Sequence, residues 1–517
     1  MSKSTERPNG VEIESRKKEK REAEKQLREQ QRAEGLYPPS RTTTPNRKSE
    51  YETVAEETEA RTQAVTEQVR IFQSQLPVLL KQLNTIEDPR NPKKVKHKLT
   101  LVLIYGILSF IYQMASRREA NREMTRPMFL ANLNLLFPEI ATIPHNDTLM
   151  RLLSNIDVNK IESAHIDLIR RYMRNKKFVH HLIDKSYPIA IDGTRKFTRN
   201  RLWAEECLER TIPAGKKNKK KKNDTEETPK QYYVSVLEAS LVFRDGMTLP
   251  LMSEFLDYAS GDTQKSKQDC ETIAFYRLTA RLKKEFPALP IMLLLDGLYP
   301  QGPLMEYCRG KKWQFMIVLQ DGSVKSMWEE FEGLRKLETN NSLERTWGNR
   351  RQRFEWVNDI EYYYGAGKKK KLILHMVICE ESWDEINAEG ALVSKSKRHC
   401  WISSKPLHAG NVHERCNLGA RYRWGIEEGF LVEKHHGYHY EHCFSYNWNA
   451  MRGYHYLMHL AHLFNILACY SVSLIEKVKI YGIRGFIKFI RETLSAPWLD
   501  PEVVRKLLSR PFQLRLV

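Results

Sequence analysis

The sequence predicts a mixed α/β fold of the α+β kind, on three observations. Apolar residues recur at helical spacing early in the chain, short strand-like runs replace them after Ser186, and helical stretches return after residue 406. The 517 residues, 41% of them hydrophobic, suffice for several domains with buried cores.

Residues 1–50 are rich in charge, Ser, Thr and Pro and have little to bury, so a disordered or solvated-helical tail is expected there. A helical N-terminal region follows over 51–183. Val54, Val65, Val69, Phe72, Leu76 and Leu80 hold helical spacing as far as Leu83, and prolines at 89 and 92 punctuate it. Further helices are expected over 99–115, 127–136 and 148–156, the last with Asn146 or Asp147 as N-cap. The 17-residue apolar run 99–115 is at the short limit for a membrane span and carries basic flanks on both sides, so it reads as a buried helix. The N-terminus has no apolar core and is not a secretory signal. On a basic chain, such a helical module serves either to place a helix in a DNA groove or as a purely structural domain.

Strands are expected at 187–191, 232–242, 249–255, 291–295 and 315–319, with a helix across 268–285, in a mixed region over 184–320. Within it the Lys-rich interval 212–230 cannot be core and reads as a solvated hairpin tip. A second strand-rich region follows over 321–405, with strands at 352–356, 360–364, 371–379 and 399–402. Its Trp347, Trp356, Arg350, Arg351 and Arg353 suit either a stacking and phosphate-binding surface or ordinary core. Helical stretches over 406–475 and a helical tail over 476–517 follow.

Lys and Arg number 84 against 64 Asp and Glu, so 84 − 64 gives +20. With a pI near 9.4 the chain attracts polyanions, nucleic acid first and an anionic membrane surface second. The eight cysteines stand singly, without a Cys-x-x-Cys pair, which argues for a reducing compartment and against a disulfide framework or zinc ribbon. No G-x-x-x-x-G-K-[ST] loop or G-x-S-x-G elbow anchors nucleotide hydrolysis or serine hydrolase chemistry.

The chemistry points to three acids. Asp192 follows the apolar run 187–191 and Asp296 follows 291–295, each read as a carboxylate at the end of a buried strand. Glu427 lies in a helical stretch where, at about 100° per residue, it falls about 40° from Arg423, with Lys434 at about 20° and Glu428 at about 140°. Arg423, Glu427 and Lys434 therefore share a stripe on which an acid can hold a metal while bases hold phosphate. Three acids brought close repel one another, and two divalent ions about 4 Å apart would offset that while assisting an in-line displacement. A second metal reading rests on the His-rich tract 435–462, where His455, His459 and His462 share a helical face suited to zinc. Yet the helix over 447–471 is apolar around most of its circumference and no cysteine pair completes a set, so histidines that pack in a core or meet DNA are the preferred reading.

The order Asp192-Gly-Thr, Asp296-Gly, then Arg423 and Lys434 about Glu427 resembles the DDE transposases of bacterial insertion sequences, in the branch with a Tyr-Arg-Glu-Lys signature. The spacings, 296 − 192 = 104 and 427 − 296 = 131, agree, the second being long enough for the branch's β-rich insertion. The resemblance implies a ribonuclease H-like core in two parts, 184–320 and 406–475, on either side of a β-rich insertion at 321–405. It implies that Asp192, Asp296 and Glu427 bind two Mg²⁺ ions, with Mn²⁺ able to replace them, to cut the element's ends and join them to target DNA. Arg423 and Lys434 would hold phosphates. The signature's tyrosine position is Ala420 here, and Tyr422, about 100° off the stripe, is the nearby replacement. The implied partners are double-stranded DNA and a second copy in a synaptic homodimer, and the implied location is cytoplasmic and nucleoid-associated, without a membrane. A DNA-binding relic without activity and a metal nuclease that cuts without joining are the alternatives.

Overall fold

Residues 9–36, 48–140, 142–212, 230–257, 270–338 and 340–517 are described by the structure, a computed structural model. They are mixed α and β. The chain divides into two compact units. A strand-rich unit comprises Met1–Thr43 and Pro290–Arg421, and a helix-rich unit comprises Thr44–Leu289 and Tyr422–Val517.

Helix α1 (Gly10–Ala33) opens the strand-rich unit. Its start is a capping box, in which Asn9 Oδ1 accepts from the Glu12 N–H at 2.9 Å and Glu12 Oε2 accepts from the Asn9 N–H at 3.1 Å. Within the tail expected to be disordered or a solvated helix, residues 10–33 are helical. The helix-rich unit follows with α2 (Val54–Leu83), α3 (Leu99–Ile111), α4 (Arg117–Met124), α5 (Pro127–Leu136), α6 (Asn146–Leu153) and α7 (Asn159–Arg174). It continues with β1 (Tyr187–Arg199), β2 (Leu208–Thr211), β3 (Lys230–Val242), β4 (Thr248–Leu256) and α8 (Glu271–Glu285). The strand-rich unit resumes with β5 (Ile291–Leu295), α9 (Gly302–Gly310), β6 (Gln314–Val318), α10 (Lys325–Leu334), β7 (Ser342–Trp347), β8 (Arg350–Tyr364), β9 (Lys370–Ile386) and β10 (Leu392–Ser403). The helix-rich unit ends with α11 (Trp424–His435), α12 (Trp448–Cys469), α13 (Ile475–Leu494) and α14 (Pro501–Leu508).

In the helix-rich unit, the apolar stretch near residue 100 is α3, a buried helix packed on α12. They pack closely at Gly106, where a Cβ would lie 2.7 Å from Leu457 Cδ1. No helix among the described residues is long and apolar enough to cross a membrane. Helix α6 begins two residues earlier than expected and its cap is His145, whose Nδ1 accepts from the Asp147 N–H at 3.2 Å. Asn146 is instead buried and accepts from the Tyr454 hydroxyl at 2.6 Å.

The sheet of this unit centres on β3, antiparallel to β1 along one edge and to β4 and β2 along the other. Asp192 lies directly across from Glu238. Strand β1 does not stop before Asp192, as the apolar run suggested, but runs on through Arg199. The continuation alternates, with Gly193 and Arg195 exposed and Thr194 and Lys196 buried. A bulge at Lys196 shifts the register between Arg195 and Phe197. Helix α8 covers the Gly193 face, where Glu271 abuts Gly193, while α11 and α12 cover the face that carries Asp192 and Glu238.

In the strand-rich unit the strand order is β5-β6-β10-β9-β8-β7, parallel between β5 and β6 and antiparallel thereafter. The two strands expected at 352–356 and 360–364 are one strand, β8, interrupted by a bulge between Val357 and Ile360. In the bulge Asp359 takes a φ of 57°, and its N–H donates to His375 Nδ1 at 3.1 Å. Helix α1 packs on β9, with Gln31 donating to the Asp384 carbonyl at 3.3 Å and Glu34 pairing with Arg351 at 2.7 Å. The Lys-rich run at 215–223 lies outside the described residues.

Candidate active site

Asp192 stands on β1 where fully buried Ile189, Ala190 and Ile191 give way to the alternating half of the strand. The burial of the first half fixes the strand's height in the sheet, and the carboxylate is left 17% exposed at the margin of that core. Its Oδ1 accepts from the Gly193 N–H at 2.9 Å.

The second acid arrives on a helical run that changes pitch. Residues Glu414–Gly419 form a wide π turn, Ala420–Arg423 a 3₁₀ turn, and α11 then runs as a regular α-helix. Such departures from α geometry recur at functional sites because they re-aim side chains without ending the helix. Helix α11 comes close to the sheet at Gly425, where a Cβ would lie 2.8 Å from Thr248 Oγ1 and 3.3 Å from Val242 Cγ1. A residue with no side chain is what lets the turn before it reach Asp192.

Arg423 joins the two acids. Its Nη2 donates to Glu427 Oε1 at 2.9 Å, one helical turn on, and its Nη1 lies 3.5 Å from Asp192 Oδ2. The guanidinium is 7% exposed, its Nε has no hydrogen-bond partner, and it stacks 5.0 Å from the ring centre of Trp424. Glu427 is 36% exposed, so the site opens to solvent at that acid and at Trp424, which is 57% exposed. Glu428 is exposed on another face. The shared cation offsets the repulsion between the carboxylates.

The remaining expected residues are engaged elsewhere. Lys434 pairs with Glu441 at 3.3 Å and lies 6.0 Å from the Tyr440 ring centre. Tyr422 is half-buried, and burial, then Asp245, raise its pKa; Glu428 rather than Glu427 is the α11 acid it senses. Asp296 belongs to the strand-rich unit, immediately after β5. Its Oδ1 accepts from the Leu298 N–H at 2.9 Å and so shapes the turn after the strand. Gly297 in that turn packs on Gln320, whose Cδ would be 2.7 Å from a Cβ there. Asp192, Arg423 and Glu427 thus form one constellation within the helix-rich unit, and Asp296 belongs to the strand-rich unit.

The chemistry of the donors suits a hard cation, since Asp192 and Glu427 offer carboxylate oxygen without thiolate or imidazole. Sequence reasoning missed Glu238, Glu433 and Lys196, buried charges on the face beside Asp192. A lone acid within the apolar run 232–242 was the available signal for Glu238. In the strand-rich unit Glu381, 3% exposed, gathers Arg421 at 2.5 Å, Arg350 at 2.8 Å, Gln352 at 3.0 Å and His399 at 3.2 Å. Burial acts to raise its pKa, yet His399, Arg421 and Gln352 hold it well below the usual carboxylate range.

Residues 80–169 match the family model described as DDE_Tnp_1-associated, a domain found in DDE transposases. That match covers α3 to α6 and most of α7. No curated protein matches the chain.

Proposed function

We propose that this chain is a DNA transposase of the DDE type, in the branch with the Tyr-Arg-Glu-Lys signature. The observation that carries the reading is Arg423 seated between Asp192 of β1 and Glu427 of α11. The transposase-associated match over residues 80–169 supports it independently, because that segment contains none of the three.

In this reading the core is ribonuclease H-like, and Asp192 and Glu427, with Asp296 as the third acid of the resemblance, are the carboxylates for two Mg²⁺ ions. When bound, those ions supply activation of the attacking oxygen and stabilisation of the leaving one. Arg423 holds the acids in register before substrate arrives. Lys434 contributes positive charge farther along α11. Trp424, exposed beside Arg423, offers a face for a base near the scissile phosphate. The +20 charge draws double-stranded DNA, the element's ends and then the target, and two copies pair in the synaptic complex.

The test is cleavage of a labelled duplex carrying the DNA that flanks the gene, with and without Mg²⁺. Metal-dependent nicking at the element boundary, lost in Asp192→Ala, Asp296→Ala and Glu427→Ala while salt-sensitive DNA binding persists, is expected. Binding without any cut, equal in all four proteins, would leave a DNA-binding relic; cutting that survives one substitution would remove that residue from the site.

A further inference from the structure

Beside Asp192, on the same face of the sheet, the helix-rich unit buries a cluster of metal-ligand side chains. Glu238 of β3 lies across the ladder from Asp192, while His455 and His459 stand one turn apart on α12. Glu433 reaches in from α11. All four residues are at most 3% exposed. We propose that Glu238, His455 and His459 form a binding site for one divalent transition metal of the zinc class, with the Glu433 carboxylate beside it.

The spacing is the first argument. His459 Nε2 lies 3.4 Å from Glu238 Oε2 and 3.5 Å from Glu433 Oε1, and His455 Nε2 lies 3.7 Å from Glu238 Oε1. Hydrogen bonds from nitrogen to oxygen close to about 2.7–3.2 Å, so these pairs are too open. Donor atoms around a tetrahedral zinc with bonds of about 2.0–2.1 Å stand about 3.4 Å apart, which is the separation found. One ligand atom from each of Glu238, His455 and His459 falls within 4.8 Å of the others, the one such group among the described residues.

The second argument is unmet bonding capacity. His459 Nε2 has no hydrogen bond although it is buried between two carboxylates, and Glu433 Oε2 also lacks a partner. Buried polar atoms usually find a partner. A cation bound at His459 Nε2 would supply one there.

The surroundings complete an outer shell of the sort that orients ligands. The Tyr440 hydroxyl donates to Glu238 Oε1 at 2.9 Å, and His462 Nδ1 lies 2.7 Å from Glu433 Oε1. Ser253 Oγ lies 3.5 Å from His459 Nδ1, the ring nitrogen left free when Nε2 binds the metal. Two imidazoles among the ligands favour zinc over magnesium, and full burial marks a structural site. Such a metal would tie β3 to α12, which meets α11 through Glu433, and so brace the helix that carries Glu427. The proposal does not depend on the transposase reading.

The experiment is metal analysis of the full chain, purified without a polyhistidine tag, with optical spectra after growth on cobalt. About one zinc per chain is expected, together with visible Co²⁺ bands of tetrahedral intensity that lack the near-ultraviolet thiolate absorption of a cysteine site. His455→Gln, His459→Gln and Glu238→Gln should lose the metal, while His435→Gln, on the exposed part of the tract, should keep it. Metal retained equally by all variants, or a wild-type protein with no zinc and no Co²⁺ bands, overturns the proposal in favour of a buried proton-sharing network. Should the variants fail to fold, the wild-type cobalt spectrum decides by itself.

Discussion

Replacing Gly425 with alanine tests whether the contact between α11 and the sheet sets the position of the acids. The added Cβ would lie 2.8 Å from Thr248 Oγ1, where ordinary contact begins at 3.4 Å, so the helix must retreat by 3.4 − 2.8, or 0.6 Å, unless the hydroxyl turns away. Overpacking of this sort costs about 1–3 kcal/mol, while alanine regains about 1 kcal/mol of helix propensity, leaving a net loss of about 0–2 kcal/mol. Activity should respond more. Arg423 and Glu427 flank Gly425, and a displacement of about 1 Å at a reacting centre costs about a hundredfold, so 0.6 Å corresponds to roughly tenfold. Urea unfolding and duplex cleavage by the same preparations give both quantities, and adding Thr248→Ala should restore part of each loss because it removes the nearest atom. If Gly425→Ala is more stable than wild type by about 1 kcal/mol and cuts normally, the close approach plays no part in placing the site.

Glu428→Ala should leave cleavage within a few fold of wild type, whereas Glu427→Ala abolishes it, since the two acids face different ways; equal damage would contradict the helical geometry. Glu381→Gln should destabilise the strand-rich unit by about 3–5 kcal/mol in urea by leaving Arg421 and Arg350 short of their partner. Because the Glu381 pKa is lowered on folding, its contribution is full above the unfolded carboxylate pKa of about 4.3 and fades as pH falls toward the folded value. Acid melts of the Gln variant should show a shallower decline there. His375 behaves differently, since burial lowers its pKa to about 4 and its Nδ1 must stay unprotonated to accept from the Asp359 N–H. The unfolded chain takes up that proton first, so stability should fall between about pH 6.5 and the folded pKa and level off below it. An unchanged thermal-melt profile in His375→Gln across that window would refute the assignment.

What could be read from the chain depended on whether the signal was local. The helix at 127–136 and the strand at 291–295 were legible to the residue, because a proline start or an apolar run bounded by turn residues is contained within the segment. The Arg423 to Glu427 pair was legible as an i, i+4 relation. Beyond Asp192 the strand was not, since Gly193-Thr-Arg-Lys196 looks polar throughout. Its alternation appears only when Lys196 is seen lying 4.0 Å from the Tyr440 ring centre, 244 residues later by 440 − 196. Strand β7 alternates between exposed and half-buried positions and so carries no apolar run. Helix α1 was hidden for the opposite reason, its charged length being held by a capping box and by contacts with β9 rather than by an apolar stripe. The pairing of Asp192 with Glu238 is a matter of register, which composition does not encode.

The interleaving of the two units sets a clock on the ribosome. Arg423 and Glu427 leave it only after a further 427 − 192 = 235 residues beyond Asp192, or about 12–47 s at roughly 5–20 residues per second. Until then β1 and β3 lack the helices that cover their acidic face, and Asp192 lacks its arginine. The cutting centre of the proposed reading is therefore assembled only after the strand-rich unit has been made, so that a nascent fragment ending within that unit lacks both Arg423 and Glu427.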